Sequence, residues 1–278
     1  MDNFFIVTND GKDIDFNVTE KIANFLMKKG KKVFLSEKNC YNCLLPSSIP
    51  SELDCAIVVG GDGSFIEVAR LLKNRDVPIL GVNMGTLGYL TEVELSELDT
   101  ALAKLVNDRY YIEERMMIMA KFQDKESGIA LNDIVISREG ELRILKFKVY
   151  VNGILLNNYH ADGIIISTPT GSTAYNLSAG GPVVEPTANL MVITPIASHA
   201  LDNKSIILSA DDKVEIELDF GRFNRNEVAR VTLDGADNYL IHSGERVVIK
   251  EASETTKFLK LKKQSFLEVL RKKMKANA

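Results

Sequence analysis

Three stretches of the chain concentrate glycine, hydroxyl and carboxylate side chains in patterns that can do chemistry. In Gly60-Gly61-Asp62-Gly63, which follows the apolar run Cys55 to Val59, adjacent glycines let a bulky phosphate approach the backbone. The amphipathic stretch behind it offers a helix N-terminus that favours anions, so Asp62 is a carboxylate held beside a phosphate-friendly surface. The bland reading is that Asp62 only caps a turn or a helix. The next apolar run ends in a second glycine-rich loop, Asn83-Met84-Gly85-Thr86-Leu87-Gly88-Tyr89-Leu90. Two such loops at one edge of a sheet predict a cleft, in which Tyr89 either stacks on a base or is an ordinary half-buried aromatic.

The third stretch runs from Ala161 to Pro182. A buried strand, Gly163 to Ser167, empties into a loop that carries Thr170, Ser172, Thr173, Tyr175 and Ser178 among glycines. Many small donors without positive charge suit a flat, neutral group such as a nucleobase or ribose. A loop of this kind can also satisfy itself through hydroxyl turns, but its length favours binding. Asn132-Asp133 interrupts the apolar run Ile129 to Ser137, which buries one of the two unless a partner meets it. A bulge that aims both at a ligand and a simple hairpin turn are the two solutions.

Other chemistries lack their residues. The chain has no G-x-x-x-x-G-K-[ST] loop, no G-x-G-x-x-G fingerprint, no H-E-x-x-H and no G-x-S-x-G elbow. Cys40-x-x-Cys43 is half a zinc or redox motif with nothing nearby to complete it, and with Cys55 it makes an odd count that argues against a disulfide framework.

The elements that must position these groups follow from periodicity. Phe4 to Thr8, Val33 to Leu35, Cys55 to Val59 and Val77 to Val82 read as buried strands; Phe16 to Lys29, Ser64 to Lys73 (with a capping box at Ser64 and Glu67) and Ser96 to Asn107 read as helices. Alternation at this spacing predicts a Rossmann-like α/β domain with a parallel sheet over residues 1–108. From residue 109 to 263 the texture is β-rich, with Met116 to Phe122, Ile144 to Val151, Val214 to Leu218, Val228 to Leu233 and Arg246 to Ile249 among its strands and turn signals at Asn152-Gly153 and Ser243-Gly244. This predicts a mostly antiparallel second domain. A helix within 264–278, opened by a capping box at Ser265 and Glu268, is expected to pack Phe266, Leu267, Leu270 and Met274 back on the first domain.

Length and composition bound the rest. With 278 residues, 45% hydrophobic, 26% charged and a net charge of -4, the chain has an ordinary globular composition, near the size at which one core divides into two. Its apolar runs fall short of the roughly 18 to 20 residues of a membrane helix, and the start lacks a secretory signal pattern, so a cytoplasmic location is expected. Residues 257–275 hold eight basic side chains and one acidic. Given the net charge, a solvated helix face is preferred there over a nucleic-acid or membrane contact.

In this order the pieces resemble the NAD kinases of the bacterial type over essentially the whole chain. Gly60 to Gly63 is similar to the family's GGDG motif, Gly85 to Leu90 to its G-x-L-G-F loop, Asn132-Asp133 to its NE/D motif, and Asp162 to Pro182 to its long D-G…T-P-T-G-S-T-A-Y…S-A-G-G-P signature. Thr194-Pro195-Ile196, Ser198-His199 and Asp234-Gly235 match later elements. The resemblance implies a Rossmann-like N-terminal domain with a C-terminal β-sandwich domain, assembled as a homodimer or homotetramer. It implies transfer of the γ-phosphate of ATP, or phosphate from polyphosphate, to the 2′-hydroxyl of the adenosine ribose of NAD, giving NADP, without nucleic acid or membrane as partner. Asp62 would be the general base and Gly63 its neighbour. Asn132 and Asp133 would hold ribose and adenine, and Thr173, Ala174, Tyr175, Asn176, Leu177 and Ser178 would line the dinucleotide pocket. Asp162 and Ala197 would reach the nicotinamide end, partly from a neighbouring subunit, and Arg143 and His160 would add polar contacts. A sugar hydroxyl is far less acidic than a carboxylic acid, so such a base accepts its proton late. Without a Walker lysine, Mg²⁺ is the expected neutralising ion. Asp133 replaces a common Glu, Tyr89 a common Phe and Glu185 a frequent His. Lipid or sugar kinases of the same superfamily and a non-catalytic NAD sensor are the rival readings.

Overall fold

The computed structural model describes residues 1–36, 48–85, 88–122, 127–140, 144–198, 204–221, 225–263 and 265–276. Cys40, Cys43, Thr86, Leu87, Arg143 and His199 lie outside the described residues. Two compact units divide the chain, one of Met1–Glu114 with Thr256–Ala278 and one of Arg115–Thr255.

In the first unit β1 (Asn3–Thr8), α1 (Asn17–Lys28), β2 (Lys32–Leu35), β3 (Cys55–Gly60), α2 (Asp62–Leu71), β4 (Ile79–Asn83), β5 (Val93–Glu94) and α3 (Leu98–Val106) follow one another. The strands are parallel in the order β2-β1-β3-β4, with β5 beside β4. Because β1 lies between β2 and β3, the winding reverses between the carboxyl ends of β1 and β3. Phe4, Ile6, Ile57, Val59, Leu80 and Val82 form one core with Ile22 and Leu26 of α1 and Leu102 and Leu105 of α3. Each such fully buried side chain contributes roughly 1.5–3 kcal/mol. Phe65 of α2 packs against Phe258, with ring centroids 4.5 Å apart and planes tilted by 31°. Cys55 is fully buried, and burial pushes its thiol up to about 12, so it behaves as a small apolar residue.

β6 (Tyr111–Phe122) leads into the second unit: β7 (Gly128–Ala130), β8 (Asp133–Arg138), β9 (Leu145–Val151), β10 (Ile154–Ala161), β11 (Gly163–Ser167), α4 (Tyr175–Ser178), β12 (Leu190–Ile196), β13 (Ile206–Ser209), β14 (Val214–Leu218), β15 (Val228–Leu233) and β16 (Asp237–His242). One antiparallel sheet runs β13-β12-β11-β8-β15-β16. A second set comprises β10, β9, β14 and the first part of β17 (Arg246–Lys260), also antiparallel. Ile134, Ile164 and Ile193 of one face Phe147, Ile216 and Ile249 of the other across a shared core, which makes the unit a β-sandwich. Asn152 and Gly153, at φ 51° and 81°, close the β9-β10 hairpin as their sequence requires.

Three local expectations need correction. α2 starts at Asp62, not Ser64, so Ser64 lies inside the first turn and accepts the Gly61 N–H on its Oγ at 3.5 Å; no box with Glu67 opens the helix. The last helix, α5 (Phe266–Ala276), leaves Leu267 and Met274 about two-thirds exposed. Its half-buried side chains are Phe266, Val269, Leu270 and Lys273. Finally, β17 runs 15 residues, far past Ile249, and its Phe258 pairs with Ile79 of β4.

Candidate functional site

In the first unit Asp62 opens α2 but caps nothing in it. Its carboxylate turns to the second glycine-rich loop. The Tyr89 N–H donates to Oδ2 at 2.7 Å, while the Leu90 and Thr91 N–H groups and the Thr91 hydroxyl donate to Oδ1 at 3.1–3.2 Å. Four donors on one carboxylate fix its orientation. Oδ2, with a single donor among the described residues, retains acceptor capacity for a hydroxyl. Gly63 beside it is exposed. The Tyr89 ring lies 6.4 Å from that of Phe266, and the Lys273 ammonium sits 3.8 Å from its centroid. Burial holds the Lys273 ammonium below its ordinary range, against the pull of Asp62.

In the second unit one carboxylate organises the polar pair. Asp234, in the left-handed region at φ 49°, accepts the N–H of Leu131 on Oδ2 at 2.7 Å and those of Asn132 and Asp133 on Oδ1 at 2.7 and 3.1 Å. Those bonds hold residues 131–132 as a bend between β7 and β8, neither a bulge within one strand nor a hairpin. Asn132 and Asp133, both buried, thereby line a cavity of about 350 Å³ with Ala174, Tyr175, Thr232 and Asp234.

Burial, and then the nearby Asp234 charge, push the Asp133 carboxyl up to about 7. Folded protein therefore binds more protons here than unfolded protein between about pH 4 and pH 7. Stability from this group is present at the acid end and lost as pH rises through that window. Asp133→Asn should accordingly gain stability relative to the parent between pH 5 and pH 8, by up to a few kcal/mol. Urea midpoints of both proteins at the two pH values measure this; a constant gap would contradict it.

The hydroxyl-rich loop splits into an inner scaffold and an outer surface. Fully buried Asn176 spends its side chain within the unit: Nδ2 donates to the carbonyls of Ser172 and Pro182 at 3.1 and 3.0 Å, and Oδ1 accepts from the Thr194 hydroxyl at 2.7 Å. Ser172 accepts the Val184 N–H on Oγ at 3.0 Å, and Thr168 donates to the Leu131 carbonyl at 2.6 Å. Both hydroxyls are fully buried, so part of the loop does satisfy itself. Tyr175, Leu177 and Ser178 face outward, and Thr173 and Ala174 are half-buried.

Other candidates lie apart from the cavity lining. Asp162 pairs with Arg138 at 2.8 Å, and the exposed Ala197 holds φ 45°, a strain that side chains rarely accept without cause. His160 is exposed on β10 opposite Lys146. Sequence reasoning overlooked Asp234 and Arg138 as supports and Lys273 as the cation on Tyr89. Asp234-Gly235 stood only as a match to a family element, and nothing local signalled the bonds of Asp234 to residues 101–103 positions away.

Comparison with known proteins places these features in a group. The ATP-NAD kinase N-terminal domain pattern matches residues 42–110, and the ATP-NAD kinase C-terminal domain pattern matches residues 131–261. The NAD kinase of Agathobacter rectalis is 45% identical over 279 residues, covering 99% of each chain, and that of Caldanaerobacter subterraneus subsp. tengcongensis is 39% identical over 97% of each. Among solved structures, an NAD kinase from Archaeoglobus fulgidus in complex with ATP aligns with a TM-score of 0.79 at 25% identity, over 97% of this chain and 98% of that one. Yeast NADH kinase complexed with NADH aligns with a TM-score of 0.83 at 19% identity, over 100% and 89% of the two chains, a likeness of fold.

Proposed function

The chain belongs to the NAD kinase family, and from that premise we propose how its residues divide the work of making NADP from NAD. It is a phosphotransferase that moves the γ-phosphate of ATP to the 2′-hydroxyl of the adenosine ribose. Asp62 is the general base of this reading. The observation that carries it is the grip of Tyr89, Leu90 and Thr91 on the carboxylate, which leaves acceptor capacity on Oδ2. Such a group orients the hydroxyl and takes its proton as the O–P bond forms, in a reaction dominated by positioning and charge neutralisation.

Asn132, Asp133, Ala174 and Tyr175 hold the adenosine half of NAD in their cavity, supported by Asp234 and Asn176. Asp162 and Ala197, with His160, serve the nicotinamide end. We also assign assembly as a homodimer or homotetramer in the cytoplasm, a reading favoured by the exposed Ile154, Leu155 and Leu156 on the edge strand β10. No helix among the described residues is long and apolar enough to cross a membrane.

A divalent ion, Mg²⁺ in this reading, would supply further neutralisation of the transferred phosphoryl. No three His, Cys, Asp or Glu side chains converge on one point among the described residues. Asp62 would be the protein's contribution to holding such an ion, with donor phosphates and water supplying the remaining oxygens.

The test is NADP formation from NAD by the purified protein with Mg²⁺, run with ATP, with polyphosphate and without donor. ATP-dependent NADP is expected, and the polyphosphate arm decides whether a second donor is accepted. NAD binding without turnover would instead favour a sensor.

A further inference from the structure

We infer that Lys12 is a phosphate-binding cation of this enzyme, gripping the phosphoryl donor against the Gly60-Gly61 turn. The inference rests on the kinase reading above and assigns to a side chain the neutralising role that a P-loop lysine plays elsewhere.

Position is the first argument. The sheet order β2-β1-β3-β4 puts the reversal of winding between the carboxyl ends of β1 and β3, where ligands of open α/β sheets collect. The turn after β1 carries Lys12, and the turn after β3 carries Gly60 and Gly61. Hydrogen bonds lock the two turns together. The Asn9 N–H donates to the Val59 carbonyl at 2.9 Å, and Asn9 Nδ2 donates to the Ser64 hydroxyl at 3.0 Å. The Lys12 and Asp13 N–H groups both return to the Asn9 carbonyl at 2.9 and 3.0 Å. Asp13 is itself buried and accepts the N–H groups of Val18 and Thr19 at the start of α1.

Fit is the second. A Cβ built on Gly61 would stand 2.5 Å from the Lys12 ammonium nitrogen, and one built on Gly85 would stand 3.8 Å from it. The ammonium thus occupies a notch beside the backbone of both glycine-rich loops, a notch that any side chain at position 61 would fill. Gly61 has extended backbone at φ -135°, so conformation does not demand glycine there; a side chain at 61 would instead displace the Lys12 ammonium from the notch.

Charge is the third. Among the described residues the Lys12 ammonium meets no carboxylate, although Asp10, Asp13 and Asp15 belong to the same turn. Lys273, a cation that also feels the Asp62 charge, is committed to the Tyr89 ring. Lys12 is exposed and, among the described residues, unpaired, beside the helix N-terminus that already favours an anion. A donor phosphate oxygen entering the notch gains a charge-assisted bond without breaking an ion pair.

The experiment compares the full-length parent, Lys12→Gln and Lys12→Arg. KM for ATP, KM for NAD, kcat and inhibition by inorganic tripolyphosphate are measured for each, with thermal unfolding as the check on fold. Lys12→Gln is expected to raise KM for ATP and to weaken tripolyphosphate inhibition, each about tenfold or more. KM for NAD should stay within about twofold, melting should be unchanged, and Lys12→Arg should recover much of the loss. Parent-like ATP and tripolyphosphate constants in Lys12→Gln would overturn the inference, as would a loss confined to NAD. Failure of the parent itself to form NADP would instead remove the kinase reading on which the inference depends.

Discussion

Asp62→Asn should bind NAD within a few-fold of the parent and turn it over at least about 100-fold more slowly, the usual scale for a positioned acid-base group. The substitution is close to isosteric and keeps an oxygen for some of the four donors that reach position 62 from residues 89–91. It removes the negative charge and the proton acceptor. The Asn NH₂ group also turns a donor toward at least one of the donors that the carboxylate satisfied, so some loosening of the 88–91 loop accompanies the chemical loss. Single-turnover NADP formation together with calorimetric NAD titration separates the effects. A variant that binds normally and retains more than about a tenth of parental turnover would remove Asp62 from the role of base.

Gly171→Ala should be as damaging through structure alone. A Cβ at position 171 would stand 2.0 Å from the carbonyl oxygen of Asn132 and 2.4 Å from its carbon. Both are backbone atoms, so no rotamer change relieves the clash. The same carbonyl accepts the Thr168 N–H at 2.8 Å, and the Thr168 hydroxyl in turn accepts the Gly171 N–H at 3.0 Å. Pushing the turn away therefore breaks the bonds that join the hydroxyl-rich loop to the Asn132-Asp133 bend. We expect a stability loss of roughly 3 kcal/mol or more and loss of NAD binding under conditions where the variant remains folded. Thermal unfolding with calorimetry tests both; unchanged melting with parental NAD affinity would refute the prediction.

Much of this architecture is written locally. Buried parallel strands appear as unbroken apolar runs, which is why Cys55 to Val59 could be placed from the sequence, and Asn152-Gly153 specifies its hairpin through backbone conformation alone. The start of α2 was hidden because Asp62 and Gly63 are poor helix formers, yet the first turn tolerates both where a loop binds the aspartate. The extent of β17 was hidden by the polar stretch Glu251 to Thr255, which alternates as an exposed strand does but also resembles a turn. The face of α5 was misjudged because an apolar stripe says nothing of Tyr89, whose ring meets Phe266 and the Lys273 ammonium while Leu267 and Met274 stay in solvent. Within the candidate site, the glycines and hydroxyls announced themselves by type. Asp234 and Lys12 did not, since their meaning lies in which distant backbone they meet.

The discontinuity of the first unit has a consequence for synthesis. Phe65, which packs on Phe258, and Ile79, which pairs with it, are made long before their partner. A nascent chain that has reached residue 200 already has the Asp62 loops, with β5 beside the end of β4, but lacks the strand that pairs at Ile79. The unit with the acid loop starts first and closes last, so a growing polypeptide exposes apolar surface through the making of the whole intervening sandwich. Ribosome-bound fragments ending before Thr256 should therefore engage chaperones, and release from them should coincide with emergence of residues 256–261.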